Sequence, residues 1–434
     1  MAERTLLRGA RLIDPAADHD DLADVMVTGR TIEAVTAGGS GETAGASVLD
    51  CDGLVLAPGF VDLHAHLREP GREDKETIES GCRAAAAGGY TAIAAMANTE
   101  PVADNAAVIQ EVRALARQAG LCEVHPVGAI TRGLAGEELA EIGEMAGIGV
   151  RLFSDDGHCV PDSRQLRMAL EYAKAFDVVI AEHCEDASLA AGAQMHEGLM
   201  SATLGLAGAP PEAEEIAVAR DLLVARLTGG RLHLCHLSCQ GSVELVRRAK
   251  AVGLRVTAEV TPHHLVFTDE DLAGYETNLK VNPPLRTAED REALRGGLAD
   301  GTIDVLATDH APHAVEDKEA EFDHAPPGTI GLETALAAVL TELVEPGSLS
   351  LPRAIEAMSA VPARILGLAD HGGPLTPGRP ANLVCFDPSS EWVVEAPFHS
   401  RSRNSAFLGR TLRGRVVHTM LAGELTVTEG KPTR

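Results

Sequence analysis

Between residues 60 and 310 eight short apolar segments alternate with stretches of helical periodicity, and this alternation restricts the fold more tightly than any other feature of the chain. The segments are Phe60 to Leu63, Thr91 to Ala97, Glu123 to Ala129, Gly149 to Ser154, Val178 to Glu182, Leu232 to Cys235, Val256 to Glu259 and Asp304 to Thr308. Parallel neighbours need a crossover between them, so strand–helix alternation marks a parallel α/β architecture. In the intervening stretches Leu166, Ala169, Leu170, Ala173 and Phe176 fall on one helical face, as do Ile216, Ala219, Leu223 and Leu227. Asp162 or Ser163 starts the first of these helices and Pro210-Pro211 the second. Eight βα units in succession predict closure into a TIM-like (β/α)8 barrel; an open sheet has the same periodicity and stays as the alternative.

The flanks differ. Residues 1 to 57 and 375 to 434 show short alternating runs between turn residues, such as Val25-Met26-Val27 and Leu383-Val384-Cys385. They are expected to pair into one small β-sandwich-like domain, with the barrel, residues 58 to 374, inserted between them. A chain of 434 residues has room for both. Its formal net charge of −27 argues against nucleic acid and anionic membranes as partners. A small anionic substrate stays open, because an arginine or a metal ion dominates the field in its own cleft. No run of about 18 apolar residues occurs, and MAERTLLRGARLIDPAADHD holds no apolar stretch before a small-residue cleavage site, so a cytoplasmic location is expected. The eight cysteines (51, 82, 122, 159, 184, 235, 239 and 385) include no CxxC pair and are expected to be reduced and mostly buried.

Chemistry concentrates where the apolar segments end. Asp62-Leu-His64-Ala-His66 closes the first one, and two histidines two apart on extended backbone point the same way, so both imidazoles can reach one ion. Such a pair also arises by chance. The placement of the other polar residues is what adds weight: Asp155 and Asp156 follow the fourth segment, His183 the fifth, His236 the sixth and Asp309 the eighth. All lie at carboxyl ends of strands, the face on which (β/α)8 sites assemble. Four histidines and two carboxylates suit Zn²⁺, with Mn²⁺ or Co²⁺ open on chemistry alone. The donors exceed one tetrahedral set, and two ions about 3.5–4 Å apart sharing a carboxylate would use them all. His158, His233, His263, His264 and Cys239 carry the plainer expectation of packed or structural residues. The polar, proline-containing tract between Ala311 and Gly331 is expected to be a mobile loop over the substrate.

The segments PGFVDLHAHLREPG, ANTEP, FSDDG, AEH, CHLS, KVNPPLR and ATDHAPH resemble, in this order and over essentially the whole chain, those of class I dihydroorotases in the amidohydrolase superfamily. HLREPG and ATDHAPH are the specific ones. The resemblance implies a zinc-dependent enzyme of de novo pyrimidine biosynthesis that interconverts (S)-dihydroorotate and N-carbamoyl-L-aspartate, with two Zn²⁺ per chain. It assigns His64, His66 and Asp309 to one ion and His183 and His236 to the other, with Asp156 as the bridge. A metal-bridging hydroxide would attack the ring, and Asp309 would carry its proton to the leaving nitrogen as general acid/base. Arg68, Asn98 and His313 would clasp the substrate carboxylate beside His66, while Asn282, Pro327 and Gly328 would contact the ring. An arginine fork matches a planar carboxylate with two parallel bonds.

One position departs from many relatives, which bridge their metals with a carboxylated lysine from the fourth strand. This chain reads Gly-Val-Arg151-Leu-Phe there, and arginine forms no such carbamate; an aspartate of the DDG turn, Asp156 in preference to Asp155, takes the role. Allantoinases and dihydropyrimidinases, the nearest rivals, tend to carry the lysine and to lack an arginine directly after HxHL. A third alternative is an inactive structural partner of aspartate transcarbamoylase, which would have lost metal ligands that this chain retains. The resemblance also implies self-association into a homodimer or a complex with aspartate transcarbamoylase.

Overall fold

A computed structural model of the protein describes residues 4–39 and 45–434. Each of the eight apolar segments contains a strand: Phe60–Ala65, Tyr90–Ala95, Glu123–Pro126, Leu152–Ser154, Val179–Glu182, Arg231–Leu234, Val256–Val260 and Val305–Leu306. All pair in parallel, the first three in one sheet and the other five in a second, both in chain order. Two bridges join the sheets, Gly128 with Phe153 and Ala65 with His310. At the seams Ser154 N donates to Gly128 O at 2.9 Å and His66 N to His310 O at 2.8 Å. The strands therefore follow one another in cyclic order, the arrangement of a barrel and not of an open sheet.

Local signals start and stop the helices between strands. Thr77 and Ser80 form a reciprocal capping box at the head of Ile78–Ala87. Asn105 accepts from Ala107 N and Val108 N to open Ala106–Ala119, and Gly120 ends that helix in the left-handed conformation. Asp162 caps Ser163–Ala173, which buries Leu166, Ala169, Leu170 and Ala173 as its spacing requires. The helix Glu212–Thr228 corrects the reading of its inward face. It buries Ala213, Ala217, Val218, Leu222 and Ala225, while Ile216, Leu223 and Leu227 stand at least half exposed. Apolar and charged residues both fall on every side of that helix, which also buries Glu214 and Asp221, so spacing established the helix without choosing which side faces the strands.

Inside the ring, Val61, Leu63, Ala92, Ala94, Val127, Leu152, Val179, Ala181, Val305 and Ala307 pack together with Val361, Ala363, Ile365 and Leu366 of the helix Ala360–Leu366. Arg231, the first residue of the sixth strand, donates to Ile365 O at 3.1 Å. This helix therefore plugs the end of the ring where the strands begin and leaves the other end for chemistry. The two chain ends share one nine-stranded sheet. Val55–Pro58 pairs antiparallel with Leu383–Val393, Pro58 opposite Leu383 and Val55 opposite Phe386, and pairs in parallel with Arg4–Asp14 on its other side. All eight cysteines are free thiols, and all but Cys159 are buried.

Gly59 links the sheet to the first barrel strand, and a Cβ there would lie 2.3 Å from Thr91 Cγ2, whose side chain is fully buried. Gly59→Ala is expected to cost about 1–3 kcal/mol of stability, read as a lower urea midpoint at unchanged m-value; an unchanged midpoint would mean that Thr91 yields without cost.

Candidate metal centre

The carboxyl end of the first strand brings His64 and His66 in side by side, their ring centroids 5.3 Å apart. The eighth strand lies next to it across the seam, so Asp309 reaches the same point from the far end of the ring. His66 Nε2 is 3.2 Å from Asp309 Oδ1, and His64 Nε2 is 3.5 Å from the same oxygen. Asp156 enters from the end of the fourth strand. Its Oδ2 lies 3.3 Å from both His64 Nε2 and His66 Nε2, while its Oδ1 lies 3.2 Å from His236 Nε2 and 3.6 Å from His183 Nδ1. One carboxylate thus faces all four histidines. Asp155 turns away and accepts from Ile130 N at 2.8 Å and Thr131 N at 2.9 Å. Arg151 precedes the fourth strand, is exposed, and lines a cavity at the opposite end of the ring.

These separations fit a metal. Ligand atoms about 2.0–2.2 Å from a tetrahedral ion stand about 3.3–3.6 Å from one another, which is the spacing found between nearly every pair above. His64 Nε2, though within 3.5 Å of two carboxylates, has no hydrogen bond and is buried. A buried imidazole nitrogen aimed at two acidic oxygens without bonding either is what a coordination site presents. His64, His66 and Asp309 form one candidate group of ligands, and His64, Asp156 and His236 another.

The backbone contributes strain. Arg68, His236 and Asp309 have φ of 61°, 28° and 44°, a region that residues with a Cβ enter at about 1–3 kcal/mol each. Electrostatics are equally one-sided. Burial alone would lower the pKa of His64, but Asp156, Glu259 and Asp309 outweigh it and hold it well above the ordinary value. His183 is likewise raised against burial, to about 10, by Asp156 and Glu185. Asp309 is held ionised far below the usual carboxylate range, since His64 and His66 overcome its burial.

Glu259, the next-to-last residue of the seventh strand, escaped the sequence reading as a functional residue. Its Oε1 lies 2.7 Å from His64 Nδ1 and its Oε2 3.0 Å from His233 Nε2. The carboxylate fixes the imidazole so that Nε2 faces the centre, the orienting role familiar behind metal-bound histidines. A glutamate ending an apolar segment, at the position along the chain where the other ligands lie, was the available signal. His233, expected to be structural, is the other arm of this clasp. Asp62 steadies the same seam by accepting from Thr308 N at 3.0 Å and His64 N at 3.3 Å.

The expected substrate residues group around the centre. Asn98 Oδ1 is 2.9 Å from His66 Nδ1, and Asn282 Nδ2 is 3.3 Å from His183 Nε2. His313 meets the other loop residues directly, its Nε2 2.9 Å from Pro327 O. Gly328 has φ 140°, and a Cβ there would lie 2.8 Å from His313 Nε2. The tract from Ala311 to Gly331, read as a mobile loop, is fastened: buried Lys318 donates to Pro326 O and Gly328 O, and Asn404 donates to Ala311 O and Gly328 O. Arg68 Nε donates to Pro312 O at 3.2 Å, and burial lowers its pKa to about 10. Among the described residues its guanidinium has no carboxylate within ion-pair distance. A cavity of about 370 Å³, lined in part by Glu185, Asn282 and Pro327, opens alongside.

Comparison with known proteins agrees with this geometry. Residues 53–242 match the family model described as Dihydro-orotase-like. A dihydroorotase of Streptomyces coelicolor is 52% identical over 433 residues, covering 99% of this chain and 100% of that protein. The chain belongs to the dihydroorotase family. A Mycobacterium tuberculosis dihydroorotase is 54% identical over 389 residues, covering 89% of this chain and 90% of its own. Among solved structures, the L-hydantoinase (dihydropyrimidinase) from Arthrobacter aurescens superposes with a TM-score of 0.89 at 29% identity, over 100% of this chain and 98% of its own. A dihydroorotase-family chain with these ligands is a metal-dependent cyclic amidohydrolase, and the family implies a divalent ion at the centre described.

The upward shifts at His64 and His183 favour their protonated forms in the metal-free protein. Metal binding must displace those protons, so zinc titrations in buffers of different ionisation heat are expected to show proton release, with affinity rising from pH 6 upward. Binding without proton release would contradict this electrostatic reading. Glu259→Gln is expected to weaken metal binding about 10–100-fold, measured by competition with a chromophoric chelator.

Proposed function

We propose that the centre hydrolyses the ring of (S)-dihydroorotate to N-carbamoyl-L-aspartate and closes it in reverse, in the manner of class I dihydroorotases. The observation that carries this choice of substrate is Arg68. A partly buried guanidinium beside the histidine–aspartate cluster, with a backbone carbonyl on Nε and no acidic partner for its terminal nitrogens, is a receptor awaiting a carboxylate. Dihydroorotate is a cyclic amide bearing a carboxylate; dihydrouracil is the same ring without one.

His64, His66, Asp156, His183, His236 and Asp309 would hold two Zn²⁺ ions, with Asp156 shared between them. When bound, such ions supply Lewis acidity at the scissile carbonyl and acidify water. The residues of the chain do the rest. Asp309, held ionised at neutral pH, is ready to accept a proton during attack. The same carboxyl then returns that proton to the departing ring nitrogen, and in cyclisation the order reverses. Arg68, Asn98 and His313 would fix the substrate carboxylate, while Asn282, Pro327 and Gly328 would border the ring and hold its carbonyl toward His66 and the centre. Orientation of this kind removes most of the freedom that the free reactants have to lose.

Residues 58–374 would form the catalytic barrel, and 1–57 with 375–434 the second domain, supported by the sheet that both ends share. Free thiols throughout support a reducing, cytoplasmic setting. No helix among the described residues is long and apolar enough to cross a membrane. The exposed stripe of Ile216, Leu223, Leu227 and Val252 supports self-association, with a transcarbamoylase as the other candidate partner.

Absorbance of dihydroorotate during incubation with zinc-loaded protein tests the reading, with dihydrouracil and allantoin as controls. Asp309→Ala is expected to lower kcat by at least about 10²–10⁴-fold. Arg68→Ala is expected to raise KM for dihydroorotate about 10–100-fold, the worth of one or two charge-assisted bonds. Turnover of dihydrouracil in preference to dihydroorotate would replace this assignment with a dihydropyrimidinase; loaded protein inert on all three would favour a structural partner.

A further inference from the structure

We propose that Glu123, His125 and His371 form a second metal site, separate from the catalytic one, at the plugged end of the barrel, where a divalent ion such as Zn²⁺ clamps the segment after the floor helix to the third strand. Glu123 and His125 lie two apart on the strand Glu123–Pro126, so their side chains share one face. They pair in register with Ala92 and Ala94, whose side chains belong to the interior core, and so point into the ring at its amino end. His371 comes from the opposite direction, five residues beyond the helix Ala360–Leu366 that plugs the ring, and is buried.

The three donor atoms converge. Glu123 Oε2 is 3.2 Å from His371 Nε2 and 3.5 Å from His125 Nε2, and the donor atoms of all three residues lie within 4.8 Å of one another. The first two distances are edges of a tetrahedron around an ion with ligands at about 2.0–2.2 Å. Both imidazole nitrogens are buried, and neither makes a hydrogen bond. An ion pair without a metal would be expected to turn at least one ring until its N–H pointed along the carboxylate. His371 is also held from behind, its Nδ1 3.0 Å from Thr91 Oγ1. The Thr91 hydroxyl has Phe60 O, 3.4 Å away, for its own proton, so Nδ1–H can donate to Oγ1 and leave the lone pair on Nε2 for a metal. Two imidazoles and one carboxylate are a donor set that zinc takes. Glu123 and His125 border a cavity of about 800 Å³ that also exposes Arg113, Arg117 and Arg151, so the fourth position opens to water or a small anion.

This site stands whether or not the catalytic reading does, because it shares no residue with that centre. Full-length protein stripped with a chelator, reloaded with Zn²⁺ and desalted should retain one equivalent more per chain than Glu123→Gln or His125→Gln treated identically. Both side chains are partly exposed, so these variants are expected to fold, and turnover of dihydroorotate by the loaded variants is expected to stay within twofold of wild type. His371→Gln should lose the same equivalent, and zinc should raise the melting temperature of an Asp156→Ala protein by more than that of Asp156→Ala combined with His125→Gln, which keeps only the His64, His66 and Asp309 group. Equal zinc content in wild type and in both strand variants would overturn the proposal and leave a plain histidine–carboxylate ion pair.

Discussion

The seam between the first and eighth strands is the constraint on which the rest depends. There the chain closes on itself through His66 N donating to His310 O at 2.8 Å and Ala65 bridging His310. Asp62 accepts from both sides of the seam, from Thr308 N and His64 N. Without that closure, His64 and His66 would stand some 245 residues along the chain from Asp309 and share nothing with it. With it, both imidazoles come within 3.5 Å of the Asp309 carboxylate. Parallel strands point all their carboxyl ends the same way, so once the ring is closed the residues following strands four, five and six have no other place to gather.

That gathering is costly for the protein alone. Two buried carboxylates face four imidazoles, and Arg68, His236 and Asp309 sit in backbone conformations disfavoured for residues with a Cβ. A packed scaffold can sustain this because the strain is localised and the surroundings, Glu259 and Asn98 above all, hold the rings from behind. A divalent ion relieves the arrangement by supplying positive charge where protons otherwise must. The centre and a divalent ion are therefore complementary in charge and in spacing, and the strained positions include two of the candidate ligands, Asp309 and His236.

Much of this could be read from the chain. The eight strands fall on the short apolar segments, and the capping chemistry of Asp162 begins a helix where spacing placed one. The inward face of Glu212–Thr228 could not be read, because apolar residues fall on every side of that helix among charged ones and only packing distinguishes Ala217 and Val218 from Ile216 and Leu223. Glu259 was hidden for a different reason. As the last residue of an apolar segment it looked like an ordinary terminus, and its partner His64 is far away in sequence. The fastening of the tract from Ala311 to Gly331 depends on Lys318 and Asn404, and a polar, proline-containing composition says nothing about such partners.

What the sequence by itself determined was the inventory and the local geometry: the order of strands and helices, two histidines on one face of the first strand, and an arginine directly behind them. These follow from periodicities of 2 and 3.6 residues and from short-range hydrogen bonding, which act within a few positions. Only the tertiary structure decided that Asp156 faces the histidines while Asp155 turns to Ile130 and Thr131, that Glu259 clasps His64 and His233, and that His371 returns beneath the ring to meet Glu123 and His125. Each of those choices is made between groups brought together by strand register and ring closure, and no local preference can discriminate between partners that become neighbours only when the chain is folded.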